Sequence, residues 1–361
     1  MKVALVYDRV NKWGGAERVL LALHKLFPNA PLFTSVYNKK TAQWADVFDI
    51  KTSFLQKLPF VRTRHDFVPY LMPSAFEQFS FDDYDLVVSV TSEAAKGIIT
   101  KPTTKHICYC LTPTRYLWSG YDTYFSDKTL KMLTKPVVSS LRKWDKVAAH
   151  RPDVMIAISK AVQERIKDYY GRDSVIIYPP LDQGLVIRDQ GLGKRKKGKP
   201  YFLVVSRFVQ YKRIDLAIEA LSDLGLSLKV IGSGSLEKRL QAKAGKNIEF
   251  LHNLTDEELV AYYKGCEALV FPGVEDFGLV MAEAHRFGKP VIAFAGGGAL
   301  DIVVDGQTGI FFKEQTTASL REAINRFHGS LFDPKIIMKQ AEKFSFDNFK
   351  KQFTDVVNKV F

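Results

Sequence analysis

The sequence predicts an α/β protein made of two Rossmann-like domains, each with a parallel sheet covered by helices. Two observations carry this prediction. Short apolar runs such as Ala268–Phe271 and Val291–Ala295 alternate with helical segments, as expected for buried parallel strands joined by crossover helices. The length of 361 residues, with 46% hydrophobic and 25% charged content, is enough for two such cores.

The first half of the chain opens with a predicted strand, Met1–Tyr7, followed by a loop and the pair Gly14-Gly15. These glycines begin a predicted helix over residues 16–27. Adjacent glycines at a helix N-terminus let the backbone approach an anion closely. A plain tight turn is the alternative. Further on, the patterns predict a strand over 153–159, a helix over 160–170 and a last strand over 174–182.

The most informative element of the second half is the pair Glu275 and Glu283, which stand eight residues apart. The surrounding pattern predicts a strand, a loop and then a helix that starts near Phe277-Gly278. The first N–H groups of that helix would face a ligand phosphate. The two carboxylates could then accept hydrogen bonds from hydroxyls on either side of it, the layout of a nucleotide-sugar. A solvated helix face is the alternative.

This region resembles the retaining glycosyltransferase family 4, whose signature is an E-x7-E element in the C-terminal half of a GT-B fold. Gly278 at the turn, Gly288-Lys-Pro290 at the helix end and Gly296-Gly-Gly298 in the next loop support the resemblance, which extends over nearly the whole chain. It implies two Rossmann-like domains that face each other across a cleft, with a C-terminal helix that crosses back to the N-domain.

The resemblance also implies a domain organisation with four parts. These are an acceptor-binding N-terminal domain over 1–182, a basic flexible linker over 183–200, a nucleotide-sugar-binding domain over 201–343 and a crossover helix over 344–361.

The segment Tyr201–Asp215 resembles the family's first C-domain strand and basic loop, which implies that Arg207 and Lys212 clamp the donor diphosphate. Fixed cations lower the barrier because the departing diphosphate accumulates negative charge. A surface charge pair is the alternative. The resemblance thus implies Arg207, Lys212 and Glu275 as catalytic residues. It implies six donor-binding residues: Gly14, Gly15, Phe277, Gly278, Leu279 and Glu283. Among the carboxylates, Glu275 is expected to face the transferred sugar and Glu283 the ribose.

In the N-terminal half, His106–Trp118 resembles a "YCHTPxRYxW" stretch of bacterial polysaccharide mannosyltransferase-like members. This implies that Thr112, Arg115 and Tyr116 contact the acceptor or the sugar. The chain departs from the pattern at Leu111, where relatives carry a histidine that contacts the donor sugar. That role does not transfer, and His106 stands at the start of the strand, so we expect an altered donor-sugar contact.

No metal is predicted. Asp82-Asp-Tyr-Asp85 precedes a predicted strand rather than following one, and the three cysteines lack metal spacing. Gly232-Ser-Gly234 is a weak phosphate-loop signal, because strand-to-helix turns often need glycine for steric reasons. No cofactor is expected beyond the nucleotide diphosphate sugar itself, with GDP-mannose the first choice and a UDP-sugar the second.

The formal net charge is +13. Cations concentrate in the predicted linker and in two stretches with interleaved apolar residues, 51–64 and 128–146, which would suit an anionic membrane or an acceptor. A solvated linker is the alternative, and a nucleic-acid partner lacks any recognised motif. No signal peptide or 18-residue apolar run is evident, so we expect a cytoplasmic protein, peripheral on the inner face of the membrane.

The function predicted from the sequence is a retaining hexosyltransferase of surface polysaccharide synthesis. It would move a hexose, mannose in the first instance, from a nucleotide diphosphate sugar to a hydroxyl of a glycan or lipid-linked acceptor. Two alternatives stay open: a non-catalytic nucleotide-sugar-binding scaffold and a GT-B nucleotide-sugar epimerase.

Overall fold

The structure is a computed structural model, and its description covers residues 1–58, 61, 68–181, 199–328 and 330–361. The chain divides into two compact units, the first formed by Met1–Pro179 with Phe349–Phe361 and the second by Pro180–Asn348. The predicted basic linker, 183–200, lies outside the described residues except for its last two. Part of the basic stretch 51–64 lies outside them as well.

The first unit contains a seven-stranded parallel sheet in the order β3-β2-β1-β4-β5-β6-β7. Its strands are β1 (Val3–Tyr7), β2 (Leu32–Thr34), β3 (Ile50–Thr52), β4 (Leu86–Thr91), β5 (Lys105–Cys110), β6 (Val154–Ala157) and β7 (Val175–Ile176). Every residue of β1 and β4 is buried, as expected for central strands covered by helices on both faces. The strand order reverses between these two strands, which makes their carboxyl ends the switch point of this sheet.

Helices cover this sheet: α1 (Gly15–Leu26), α2 (Met72–Glu77), α3 (Tyr121–Tyr124), α4 (Lys128–Ala148) and α5 (Lys160–Tyr170). Local sequence sets the bounds of α5. Its N-cap Ser159 accepts a hydrogen bond from the backbone N–H of Val162, and Gly171 ends it in the left-handed conformation at φ 68°. The predicted helix over 160–170 is confirmed.

The last strand of the first unit is shorter than predicted. The sequence suggested a strand over 174–182. Within the described part of that range, which ends at residue 181, the strand covers Val175–Ile176 and pairs with β6. Pro179 and Pro180 follow, and proline has no N–H to donate to a sheet. The apolar sequence pattern continues through these prolines, but strand pairing cannot.

The second unit contains a six-stranded parallel sheet in the order β10-β9-β8-β11-β12-β13. Its strands are β8 (Phe202–Val205), β9 (Leu228–Ile231), β10 (Ile248–Leu251), β11 (Leu269–Phe271), β12 (Val291–Phe294) and β13 (Gly309–Phe312). This is the 3-2-1-4-5-6 order of a doubly wound sheet. Its switch point lies between β8 and β11.

The helices of the second unit are α6 (Ile214–Asp223), α7 (Glu237–Lys243), α8 (Asp256–Gly265), α9 (Leu279–Arg286), α10 (Ala299–Ile302), α11 (Thr317–His328) and α12 (Pro334–Ala341). Helix α8 begins with a capping box. The Glu258 backbone donates to the Thr255 hydroxyl at 3.2 Å, and the Thr255 backbone donates to the Glu258 carboxylate at 2.8 Å.

The C-terminal helix α13 (Phe346–Val360) packs on the first unit from Phe349 onward. The Phe349 ring lies 6.0 Å from that of Tyr109 on β5, and the Phe353 ring lies 6.2 Å from that of Phe27. Both phenylalanines are buried. The return of the C-terminal helix to the N-terminal half is therefore as predicted.

Candidate functional site

The predicted catalytic residues lie at the switch point of the second sheet. The chain that leaves β8 carries Arg207 and Lys212, and the chain that leaves β11 carries Glu275. In open α/β sheets, ligands bind outside the carboxyl ends of the strands where the strand order reverses. The fold therefore brings these side chains to the sheet edge at which a ligand is expected.

Lys212 and Glu275 form an ion pair. Lys212 ends the short 3-10 turn Gln210–Lys212, and its side chain is 9% exposed, against 25% for Glu275. The ammonium also lies 5.1 Å from the ring centroid of Tyr211. A buried cation is stable only with such partners. A phosphate that reaches Lys212 must therefore share or replace the carboxylate.

Arg207 differs from Lys212 in being exposed. One of its terminal amino groups donates to the hydroxyl of Tyr211 at 2.9 Å. A guanidinium carries five donors in a fixed fork, so this bond leaves others for a phosphate. The site thus combines a fixed, largely buried cation with an exposed one.

Helix α9 begins where the sequence predicted. Its N-cap Gly278 has φ 92°, a conformation that favours glycine, and no side chain caps the helix. The first-turn amides, beginning at Leu279, are therefore groups that a ligand can satisfy. The ring of Phe277 is buried edge-on against Phe344, with centroids 5.3 Å apart, so it anchors the turn through packing.

Glu283 lies in the second turn of α9 and is only 3% exposed. Its carboxylate accepts a hydrogen bond from the Tyr263 hydroxyl at 2.7 Å, within the protein interior. Tyr263 comes from α8, and nothing in the sequence pattern singled it out. Glu283, the residue predicted to contact the ribose, thus already accepts one buried hydrogen bond from within the protein.

Close backbone packing fixes the loops that carry Lys212 and Glu275. The Gly298 N–H donates to the Glu275 carbonyl at 2.9 Å. A Cβ at Gly273 would lie 2.8 Å from the Lys212 Cα, and one at Gly297 would collide with the Glu275 carbonyl oxygen. Glycine is required at these positions because another backbone segment occupies the space of a side chain.

The turn Gly232-Ser-Gly234 has a steric role of the same kind. The Ser233 carbonyl accepts a hydrogen bond from the Phe208 N–H at 2.8 Å. A Cβ at Gly234 would lie 2.7 Å from that Phe208 nitrogen. The turn therefore supports the loop next to Arg207, and its glycines are explained without a ligand.

In the first unit, Gly14 and Gly15 stand at the start of α1, as predicted. Glu17, in the first turn, is buried and accepts a hydrogen bond from the Tyr7 hydroxyl at 2.7 Å. Burial and the Glu17 carboxylate raise the pKa of Tyr7, so the phenol stays protonated. Because a carboxylate already lies next to Gly14, a hydroxyl-bearing ligand suits this end of α1 better than an anion.

The segment that follows β5 carries the three predicted acceptor or sugar contacts. Thr112 is buried, with its hydroxyl 3.4 Å from a terminal nitrogen of Arg165. Arg115 and Tyr116 are half-buried. The structure thus places all three at the carboxyl edge of the first sheet, the edge that also carries Gly14.

Glu93 is a residue that the sequence reasoning missed. It follows β4, accepts a hydrogen bond from the Tyr116 hydroxyl at 3.0 Å and pairs with Arg9, after β1, at 2.5 Å. Burial and Glu93 hold the pKa of Tyr116 well above its usual range. The three residues join the loops of three strands around the switch point. A charged residue directly after a predicted buried strand was the available signal.

Asp145 on α4 is a second missed residue, and it organises the same segment. It pairs with Lys96 at 2.5 Å and accepts hydrogen bonds from Thr114, Trp118 and Tyr170 at 2.7–3.0 Å. Burial alone would lower the pKa of Lys96, but the Asp145 charge and hydrogen bond outweigh it and raise that pKa. The backbone around Thr114 is therefore held by a buried, charged group.

His106 does not replace the histidine that Leu111 displaces. It is buried in β5, with its Nε2 2.8 Å from the Ser89 hydroxyl oxygen. Burial, together with Arg172 and Arg151, lowers its pKa to about 3. His106 is therefore a neutral interior side chain. Leu111 follows the strand and is half-buried.

In the described part of the chain, no three His, Cys, Asp or Glu side chains are grouped as a metal site. Asp82 accepts a hydrogen bond from Ser80 at 2.9 Å, and Asp85 accepts one from the Lys2 backbone at 2.7 Å. Across the described helices, none combines the length and the apolar character that a bilayer span needs.

Residues 189–342 match the family model described as "Glycosyl transferases group 1". The matched stretch is less than half of the chain, and it contains Arg207, Lys212, Glu275 and Glu283. The glycines and polar residues of the first unit lie outside it.

Curated relatives match about half of the chain. An uncharacterised glycosyltransferase of Methanocaldococcus jannaschii, MJ1178, is 29% identical over 188 residues, which are 51% of this chain and 52% of the relative. The D-rhamnosyltransferase WbpZ of Pseudomonas aeruginosa is 30% identical over 218 residues, 56% of each chain. The match thus spans little more than half the length of these relatives.

Similarity of structure extends over the whole chain. Anabaena HepE, solved in complex with UDP, matches with a TM-score of 0.72 at 19% identity, covering 99% of this chain and 100% of HepE. At that identity the likeness shows the fold alone. The predicted α/β GT-B fold class, with two Rossmann-like parallel-sheet units, is confirmed.

Proposed function

We propose that the protein is a glycosyltransferase that moves a hexose from a nucleotide diphosphate sugar to a hydroxyl acceptor. The observation that carries the proposal is the Lys212–Glu275 pair, beside Arg207 and the uncapped start of α9, at the switch point of the second sheet. Cations and helix amides at one sheet edge suit a diphosphate, and a carboxylate next to them suits sugar hydroxyls. The family match over 189–342 supports the same chemistry.

In the proposed reaction, the bond between the anomeric carbon and the diphosphate oxygen breaks while the acceptor oxygen bonds to that carbon. Lys212 and Arg207 stabilise the charge that develops on the leaving diphosphate. The acceptor hydroxyl gives its proton to a phosphate oxygen on the same face, which retains the anomeric configuration. Lys212 would move from Glu275 toward the phosphate, and Glu275 would then accept hydrogen bonds from the sugar.

For the other residues, we propose that Gly278 and Leu279 offer backbone amides to the donor, that Phe277 keeps their turn in place and that Glu283 binds the ribose. Gly14 and Gly15 would approach sugar hydroxyls rather than the phosphate, because Glu17 already places a negative charge beside them. Thr112, Arg115 and Tyr116 would contact the acceptor or the transferred sugar.

The proposed donor is a nucleotide diphosphate sugar. GDP-mannose is the first donor to test and UDP-sugars are the second, since HepE was solved with UDP. A glycan or lipid-linked hydroxyl of surface polysaccharide synthesis is the proposed acceptor. The net charge of +13 supports a membrane-associated acceptor, because cationic proteins are attracted to anionic lipid surfaces.

The test is transfer by the purified chain with GDP-mannose, UDP-glucose and related donors and a panel of glycosyl acceptors. Release of nucleoside diphosphate and mass-spectrometric detection of a glycosylated product are expected, and they should persist in excess EDTA because Arg207 and Lys212 hold the diphosphate. Loss of activity in EDTA with recovery on adding magnesium would overturn the proposal that the reaction needs no metal ion.

A non-catalytic nucleotide-sugar-binding scaffold is the second candidate, and Leu111 in place of the family histidine favours it. Donor binding without release of diphosphate, across all acceptors, would establish this alternative. Failure to bind any nucleotide-sugar would overturn both proposals.

A further inference from the structure

Helix α4 presents an exposed face that the proposed reaction does not use. Its inner face packs on the first unit through Val138 and Leu141. On the outer face, Met132 and Leu133 are 68% and 69% exposed. Val137 is exposed too, at 44%. Single exposed apolar residues are common, but several along one helix form a patch that usually marks an interaction surface.

A groove of about 480 Å³ runs between α3 and residues 128–142 of α4. Its lining combines four cations with aromatic and apolar side chains: Tyr121, Lys128, Lys131, Met132, Lys135, Val138, Ser139 and Arg142. The volume is in the range of small-ligand sites. No carboxylate is among the lining residues, so the groove suits an anion.

The four cations of the groove differ in their contacts. Arg142 is held in place, since its Nε donates to the Leu117 carbonyl at 2.6 Å and its guanidinium lies 4.5 Å from the Tyr121 ring centroid. Within the described part of the chain, Lys131 pairs with Asp122, whereas Lys128 and Lys135 have no carboxylate within ion-pair distance. These two exposed ammonium groups are therefore available to an anionic ligand.

We propose that this groove binds the phosphate headgroup of an anionic phospholipid, with Met132 and Leu133 entering the interfacial layer of the bilayer. The cations suit a phosphate group. The exposed apolar pair favours a lipid over a free anion, because a bilayer would remove these two side chains from water and a free anion would not. Headgroup binding at this surface does not require that the chain transfer sugar.

The test is co-sedimentation of the full chain with vesicles of phosphatidylcholine alone and with vesicles in which part of that lipid is replaced by phosphatidylglycerol. We expect binding to the second kind only, at low salt. The double variant Lys128→Gln/Lys135→Gln should weaken binding by roughly 30-fold, since each cation near an anionic surface contributes about 1 kcal/mol. Its matched control is Lys39→Gln/Lys40→Gln, an exposed lysine pair elsewhere in the first unit.

The apolar part is tested with Met132→Ser/Leu133→Ser, matched to Val47→Ser, whose position is 55% exposed. The double serine variant should lose binding, and the control should keep it. All of these positions are exposed, so unchanged thermal melts are expected and serve as the folding check.

Several results would overturn the inference: equal binding to neutral vesicles, no binding to either kind, or equal loss in the Lys39/Lys40 control, which would indicate net charge alone. Inorganic pyrophosphate distinguishes the sources of phosphate. If pyrophosphate bound saturably to the wild-type chain, bound more weakly to Lys128→Gln/Lys135→Gln, and vesicles did not bind, the groove would be a site for a free anion instead. Sugar transfer has no part in these measurements, so they stand apart from the proposed function.

Discussion

At the scale of single residues, the proposed donor site depends most directly on the two cations that follow β8. Arg207→Ala and Lys212→Ala should each slow transfer by roughly 100-fold or more, the scale seen when a charge-stabilising group is removed. The measurement is steady-state kinetics of diphosphate release. Lys238→Ala, at an exposed position of α7, is the control and should keep normal rates. Normal turnover by either site variant would remove that residue from the proposed clamp.

The two carboxylates should separate sugar from ribose. Glu283→Gln is expected to weaken binding of the free nucleoside diphosphate and the intact donor alike, whereas Glu275→Gln should weaken only the donor or its turnover. A hydrogen bond to a charged group contributes about 1.5–3 kcal/mol, so calorimetry with both ligands can resolve the difference. Tyr263→Phe is the control for Glu283, because it removes the buried partner and leaves the carboxylate.

Equal loss of diphosphate affinity in both glutamine variants would end the assignment of separate roles. If Tyr263→Phe matched Glu283→Gln in every binding measurement, Glu283 would act by supporting α9 rather than by touching the nucleotide.

The sequence predicted the positions of these residues better than their partners. Glu275 in a loop and Gly278 at a helix start follow from local pattern, because strand, turn and helix signals are adjacent in the chain. The Lys212–Glu275 pair could not be predicted that way, since it joins two loops that only the sheet order brings together. Asp145 was missed for the same reason, as its donors come from distant parts of the chain.

At the scale of elements, tight glycine packing holds the Glu275 loop. Gly297 and Gly225 have similar positive φ angles, 60° and 66°, but only Gly297 faces other backbone; nothing lies within 4 Å of a Cβ at Gly225. Gly225→Ala and Gly297→Ala should therefore share a backbone cost of about 1–2 kcal/mol. Only Gly297→Ala should also displace the loop and lower kcat.

The measurement is a comparison of melting temperature and kcat for both variants. Destabilisation of Gly297→Ala at least as large as that of Gly225→Ala, with a fall in kcat confined to Gly297→Ala, supports the role of the loop. An equal fall in kcat for both would show that backbone strain anywhere in this unit is enough to impair the site.

The bounds of a helix could be predicted where residues at its ends are typical helix caps. The helix over 160–170 has a serine cap and a terminal glycine, and the cap of α8 is a capping box, so their bounds follow from neighbouring residues. The strand predicted over 174–182 fails because apolar character reports burial, whereas strand length also requires backbone donors that Pro179 and Pro180 lack.

At the scale of the whole molecule, two cores could be predicted from length and composition, since a chain of 361 residues exceeds what a single core usually holds. The last segment, Phe349–Phe361, belongs to the first compact unit. Composition gives no sign of this return. It depends on aromatic contacts such as Phe349 with Tyr109, which only the folded chain brings together.

The proposed contacts to the diphosphate all lie in the second unit: they are Arg207, Lys212 and the start of α9. A nucleoside diphosphate should therefore stabilise the folded chain. A ligand at 100 times its dissociation constant adds about 2.7 kcal/mol, which corresponds to a rise in melting temperature of roughly 5–10 °C for a unit of this size.

A thermal screen of GDP, UDP and ADP with the matching monophosphates identifies the base. The preferred diphosphate should exceed its monophosphate, since the second phosphate meets the two cations. Lys212→Ala should reduce this difference while Lys238→Ala preserves it. If monophosphate and diphosphate stabilised the wild-type chain equally, the cations after β8 would not be the diphosphate clamp.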